Sequence, residues 1–276
     1  MAKSSSLSPQ ALLRLAKEQR ELEGEEVKPL VLSGARRPVS ALARELSRAA
    51  APGSVMEEED FERAEALVYI LRSRPKSDDL RRLREAGRAR VPIICVRIGG
   101  GADPLPGVLA TDVIELEGSE PVPIDEIGRL LAQRLEGRAA SLAARIPALR
   151  AGVCKELIQR SARRSGAVGA AAFIRAPDLP ALFLEQARLI LWLGHAHDRR
   201  LEPKRGAEIA AVLMAGLGLR RLARRVRHET LIPAWVLQGS IAYAGTVALG
   251  EAALRYFSGY GDELGPSGSD RVQSPA

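Results

Sequence analysis

Gly34, Arg36 and Arg37 stand in "SGARRPVSALARELS", directly after the apolar run "VKPLVL". A glycine turn followed by two cations is the kind of arrangement that could hold an anion, and the chemistry would be phosphate binding. A nucleotide-binding loop of the form G-x-x-x-x-G-K-[ST] uses glycines so that backbone N–H groups wrap the phosphates, a Lys to meet their charge and a hydroxyl to bind magnesium. Gly34 fits the first position. Val39 stands where the second Gly belongs, Ser40 where the Lys belongs and Ala41 where the hydroxyl belongs, and Pro38 removes an N–H donor. Gly34, Arg36 and Arg37 are a candidate electrostatic anion contact, the alternative being a solvated loop before a helix; no tight triphosphate site and no cofactor are expected.

Other chemistry-bearing residues are sparse. His195 and His197, followed by Asp198, are two positions apart, so a helix would not put both imidazoles on one face, and no third ligand is in sight. They read as the end of a surface helix, where His complements the helix dipole. His228 is isolated. No Ser/His/Asp or Cys/His arrangement can be argued, so no catalytic residue and no metal site are predicted. Cys95 and Cys154 form no CxxC pattern, which points to neither a disulfide framework nor zinc. Cys95 lies in an apolar run and reads as a small buried hydrophobe in a reducing compartment.

A second cationic feature is "RRLARRVRHE". Arg220, Arg221, Arg224, Arg225 and Arg227 lie within eight residues, with Leu222 and Val226 at helical spacing. Such a basic amphipathic face suits anionic lipid. It suits nucleic-acid phosphates as well, although no aromatic residues interleave for base stacking. The net charge of +7 over 276 residues fits either partner.

These residues need elements to position them. Hydrophobic residues make up 46% of the chain and aromatic ones only 4%, so the core must be Leu, Val, Ile and Ala. Val27 to Ala35, Ala66 to Arg72, Val91 to Ile98 and Thr111 to Gly118 are apolar runs of strand length. Helical stretches lie between them: one carries Leu42 and Leu46, the other spans Ser77 to Gly87, with Ser77 as N-cap and Gly87 as the C′ stop. Continuous apolar runs alternating with helices predict a parallel sheet covered on both faces. Ile124, Ile127, Leu131, Leu135, Leu142, Ile146 and Leu149 then form one helical stripe, which Gly128 and Gly137 could interrupt.

The later part is rich in Ala and Gly. "SGAVGAAAFI" (165–174) and "GAEIAAVLMAGLGL" (206–219) are too short to span a bilayer alone. "TLIPAWVLQGSIAYAGTVALG" (230–250) carries no charge and would be about 31 Å long as a helix, which matches a bilayer core. Gln238 near its middle and Pro233 near its start weigh against a span. Ser240, Ala244, Ala248 and Ala252 recur every four residues as a candidate helix-packing stripe. The preferred reading is a compact helical bundle, with a transmembrane hairpin as the alternative. Trp192 and Trp235 read as core or interface anchors.

Two resemblances follow from these stretches. Residues 27–136 resemble a degenerate GTPase domain of the Era or dynamin type, on the order of strand, Gly turn, helix and "ALVYILRSRPKSDDLRRLREAGRARVPIICVRIGG". The resemblance implies a guanine-reading motif after the strand ending at Val96. Arg97, Ile98, Gly99 and Gly100 occupy that place, and the stretch from Ala51 to Ala66 is too short for the usual switch strands. Residues from about 150 to 257 resemble the bacterial YcjF-like family of helical domains, on "APDLPALFLEQARLILWLGHAH" and "LIPAWVLQGSIAYAGTVALGEAALRYF". That resemblance implies helices and a membrane association, and assigns no reaction.

The sequence therefore predicts an α/β plus all-α chain. Residues 1–26 are a helical extension with Leu12, Leu13 and Leu15. Residues 27–136 are a small parallel-sheet, degenerate GTPase-like domain. Residues 137–257 are an Ala/Gly-rich helical YcjF-like domain, and 258–276 a Gly/Ser/Pro-rich disordered tail. The amino terminus has no apolar run of secretory-signal length, so the body is expected in the cytoplasm, associated with the inner membrane. The expected role is a non-catalytic scaffold or regulatory adaptor whose partner is a membrane surface or a membrane-associated protein, with self-association as an option. The alternatives are a residual guanine-nucleotide binder or partner-activated NTPase, and a basic nucleic-acid-associated protein.

Overall fold

The computed structural model describes residues 27–57, 60–72, 74–101, 103–118, 121–171, 179–199 and 234–263, with Lys17 and Arg20 as isolated positions. The expected amino-terminal helix, the basic tract 220–227, the stretch 206–219 and most of the tail lie outside the described residues.

Five strands form one all-parallel sheet: β1 (Leu30–Gly34), β2 (Val55–Met56), β3 (Ala66–Arg72), β4 (Ile93–Ile98) and β5 (Val113–Leu116), in the order β2-β1-β3-β4-β5. The three central strands are apolar on both faces because both faces are covered. Helix α1 (Arg36–Ser47) sets Val39, Leu42 and Leu46 on one face, against Leu30, Leu32, Val68, Ile70 and Val96. Helix α2 (Ser77–Arg88) sets Leu83 and Ala86 on the other face, with Leu67, Tyr69, Ile93 and Cys95. Fully burying one such Leu or Ile side chain contributes about 1.5–3 kcal/mol over leaving it exposed, so these strand centres dominate the stability of the sheet.

Two local expectations change. Helix α2 begins at Ser77, but its cap is Lys76, whose N–H donates to Asp79 Oδ2 at 2.8 Å. It runs past Gly87. The left-handed residue that closes it is Arg90 (φ 58°), with Val91 N–H reaching back to the Ala86 carbonyl at 3.2 Å. Gly87 stays helical, and the Cα of Gly107 lies only 3.6 Å from where a side chain on Gly87 would start.

The described elements after β5 are helices. Helices α3 (Ile124–Leu135) and α4 (Gly137–Arg145) follow, then α5 (Arg150–Ala171), α6 (Leu179–Ala196) and α7 (Ala234–Glu263). The predicted stripe from Ile124 to Leu149 is thus split at Glu136, which adopts φ 52° and ψ −122°. The Glu136 carboxylate is held by Arg160 and Arg164 of α5. Gly128 does not break α3. It and Gly152 let α3 and α5 cross closely, since a Cβ on Gly152 would collide with the backbone of Asp125. Helix α5 is covered on most sides, with one exposed stripe along Ala151, Lys155, Arg163 and Ala167, and is the centre of the helical layer.

One buried cluster runs from Leu30 in β1 through Ile127 and Leu157 to Leu249 and Phe257 in α7. Trp192 belongs to it, whereas Trp235 is half exposed. The chain is a mixed α/β protein, a small parallel sheet followed by helices. Among the described residues no helix is long and apolar enough to cross a membrane. Residues 234–250 of the uncharged segment form the first half of α7.

Candidate functional site

In open parallel sheets ligands bind beyond the carboxyl ends of the strands, where neighbouring crossovers leave in opposite directions. Here that point lies between β1 and β3. The turn after β1 is Gly34 (φ 114°), and Cβ at this position would collide with the Ile70 carbonyl of β3. The next amide, Ala35 N–H, donates to that same Ile70 oxygen at 2.8 Å. The turn is closed against the neighbouring strand, and the amide a phosphate would meet first is already engaged.

Arg36 and Arg37 open α1. Both are exposed and neither has an ion-pair partner among the described residues. Their position at a helix N-terminus favours an anion. Ser40, one turn further, donates to Glu57 Oε2 at 3.2 Å. A carboxylate therefore sits beside the place a phosphate-gripping Lys would occupy, and it repels the charge that the arginines attract. The predicted trio of Gly34, Arg36 and Arg37 is together in space, in a setting with its own countercharge.

The loops after β3 and β4 are closed by their own side chains. Tyr69 donates from its hydroxyl to Asp79 Oδ1 at 2.7 Å, which ties β3 to the first turn of α2. Burial and the Asp79 carboxylate hold the Tyr69 phenol well above its usual range. Arg97, at the end of β4, is buried. It donates to Glu115 Oε1 at 3.1 Å and to the Asp103 carbonyl at 2.9 Å, while its Nε has no partner. Gly99, Gly100 and Gly101 all have positive φ, and Gly101 lies against the Arg97 side chain. The end of β4 thus holds a locked arginine beside a glycine turn, and the Arg97–Glu115 ion pair, 18 positions apart, has no signature in the sequence.

The small-residue stripe falls differently from its expectation. Ser240, Ala244, Ala248 and Ala252 are all exposed on α7. The buried side of α7 is instead Gly239, Ala242, Thr246, Leu249, Gly250 and Ala253. Gly239 and Ala242 face Gly166 and Gly169 of α5, and Gly250 faces Ile158. Ser240, Ala244 and Ala248 each stand two residues, about 200° of helix rotation, from Ala242, Thr246 and Gly250, so the stripe lies on the side of α7 opposite its buried row.

The two histidines go to different partners. His195 Nε2 is 3.0 Å from the buried Ser141 hydroxyl of α4. His197 stacks on Phe257 of α7, with ring centroids 6.1 Å apart. Burial, with Arg150 and Arg199 nearby, pushes the His197 pKa below its usual value. The Ser141–His195 pair, 54 positions apart, was invisible in the sequence. Ser141 is 5% exposed, so the pair acts as a polar clamp between α4 and α6 and not as an accessible nucleophile. Among the described residues no cluster of His, Cys, Asp and Glu could hold a metal ion. Arg220, Arg221, Arg224, Arg225 and Arg227 lie outside the described residues.

No protein-family model matches the chain, and no curated protein matches it.

Proposed function

We infer that this protein is a non-catalytic scaffold or regulatory adaptor, built on a degenerate GTPase-like α/β unit and acting at the cytoplasmic membrane face through its helical part. The observation that carries the reading is the bond from Ala35 N–H to the Ile70 carbonyl. With Ala35 N–H engaged, Pro38 without an N–H and Ser40, bonded to Glu57, in the place of the phosphate-gripping Lys, the loop after β1 lacks the donor set of a triphosphate loop. Five parallel strands without an antiparallel partner fit a GTPase-like sheet that has lost its switch strand.

Attachment to a membrane is supported by α7. From Trp235 to Gly250 it carries no charged side chain, and Trp235 and Tyr243 are exposed on it. Exposed Trp and Tyr suit the headgroup layer, and the Arg220 to Arg227 tract that precedes α7 adds attraction to anionic lipid. The mode is peripheral.

Two measurements test the reading. A titration with a fluorescent guanine nucleotide and magnesium is expected to give no saturable binding; micromolar affinity would remove the non-catalytic reading. Fractionation of cells is expected to leave the protein in the membrane pellet and to release it in a carbonate wash. Recovery wholly in the soluble fraction would remove the membrane reading.

A further inference from the structure

The sheet also has an amino-terminal edge, away from the loops above. A cavity of about 290 Å³ opens there. Its charged lining is Lys28, Glu62, Glu65, Arg90, Arg134 and Arg138, contributed by the segments before β1, β3 and β4 and by the α3–α4 junction.

The sign of a ligand follows from the pairing of these charges. Glu65, almost wholly buried, is ion-paired with Arg138 at 2.8 Å. Arg134 is ion-paired with the buried Asp112, its Nε at 2.9 Å and its Nη2 at 2.6 Å from Oδ1. Lys28 Nζ donates to the Glu62 main-chain carbonyl at 2.8 Å, which leaves its charge uncompensated. Once those two pairs are set aside, Lys28 and Arg90 face the single exposed carboxylate of Glu62, so the cavity stays positive. The ends of α2 and α3 point here too and bring partial negative charge. That charge is muted, because Ala89, Arg90 and Val91 N–H close the last carbonyls of α2, and Glu136 N–H and Arg160 close Ala132 and Gln133 of α3.

Arg90 supplies an independent indication. It occupies the left-handed C′ position that ends α2, a place where Gly is preferred because a Cβ is strained there. Its side chain is exposed at the cavity and has no ion-pair partner among the described residues. A strained, non-glycine residue at a cavity rim is a known mark of a functional position. The strain is accepted for a guanidinium that no carboxylate of the described residues holds.

We propose that this cavity binds a small multivalent oxyanion of the phosphate class, with Arg90 and Lys28 as its contacts, beside the ion-paired Arg134 and Arg138. Guanidinium N–H groups match the geometry of phosphate oxygens and can bind them in pairs. The volume suits an anion of pyrophosphate size and not a whole nucleotide.

Isothermal titration of the full chain with sodium pyrophosphate, against sodium chloride of equal ionic strength, tests the site. One saturable event is expected, weakened roughly tenfold by Arg90→Gly and several-fold by Lys28→Gln. Arg90→Gly places the preferred residue at C′, so its melting temperature should not fall, and lost binding then reports the guanidinium and not the fold. Absence of saturable binding in the parent chain, or unchanged affinity in Arg90→Gly, would overturn the proposal. So would a variant that melts well below the parent, because Arg90 would then be supporting the fold.

Discussion

The Ala35 amide donates to the Ile70 carbonyl at 2.8 Å, and this bond holds the turn after β1 against β3. It exists because Gly34, at φ 114°, brings the two backbones together with no Cβ between them. A turn of this kind serves the sheet. A nucleotide loop instead turns its amides outward to a ligand.

Gly34→Ala should therefore be strongly destabilising, by at least about 3 kcal/mol, since it adds left-handed strain to a backbone collision. Denaturant unfolding followed by circular dichroism measures this. A loss below 1 kcal/mol, roughly the size of an exposed substitution, would contradict the close approach. Arg36→Ala with Arg37→Ala, both exposed, should stay within about 0.5 kcal/mol of the parent.

Arg138→Ala should cost about 2–3 kcal/mol, because it removes the Arg138 guanidinium from the buried Glu65 carboxylate. The figure sits at the low end because Arg138 itself is about half exposed. Glu65→Gln should cost less, since it removes the buried charge along with the pair. A double-mutant cycle on urea midpoints separates the two, and equal single-mutant losses would argue against a buried charge at Glu65.

The His197 pKa is lowered in the folded chain, by burial first and then by Arg150 and Arg199. The unfolded chain thus takes up a proton more readily once the pH falls below about 6.5. Stability should decline as pH drops from there toward the lower folded value, and the dependence should level off below it. Melting curves at about pH 7.5 and pH 5.5, on either side of the unperturbed His value, should show the decline in the parent and a smaller one in His197→Gln. An equal decline in both would assign it to other groups.

Burial pushes the thiols of Cys95 and Cys154 up to about 12, against weaker opposite pulls from Arg97 and Arg150. The thiolate is the reactive form. Neither cysteine should react with an aromatic disulfide reagent at about pH 8 in the native protein, where an unperturbed thiol would already be partly ionised, and both should react in denaturant. Rapid labelling of the native chain would show that one of these positions opens.

Much of the α/β half was legible in the sequence. Ile93 to Val96 and Ala66 to Leu71 are apolar throughout, as a strand covered on both faces requires. The strand at Val55 and Met56 was not legible, because two residues carry no period and its existence depends on pairing with Leu30 and Val31. Gly87 misled because glycine is the usual helix stop, whereas tertiary contact with Gly107 and the strain at Arg90 decided the end of α2. The stripe at Ser240 misled because α7 carries two small-residue rows on opposite sides, and spacing alone does not say which of them meets α5. Pairs such as Arg97 with Glu115, or Ser141 with His195, come from separate elements, and no local pattern announces them.

Phe257 in the last described helix shares one buried cluster with Leu30 in the first strand. During synthesis α5 therefore emerges with part of its covering still inside the ribosome. The side of α5 that carries Ile158 stays exposed until Gly250 of α7 arrives against it. The nascent chain should depend on a holding chaperone, and truncation before residue 234 should yield insoluble material instead of a free amino-terminal unit.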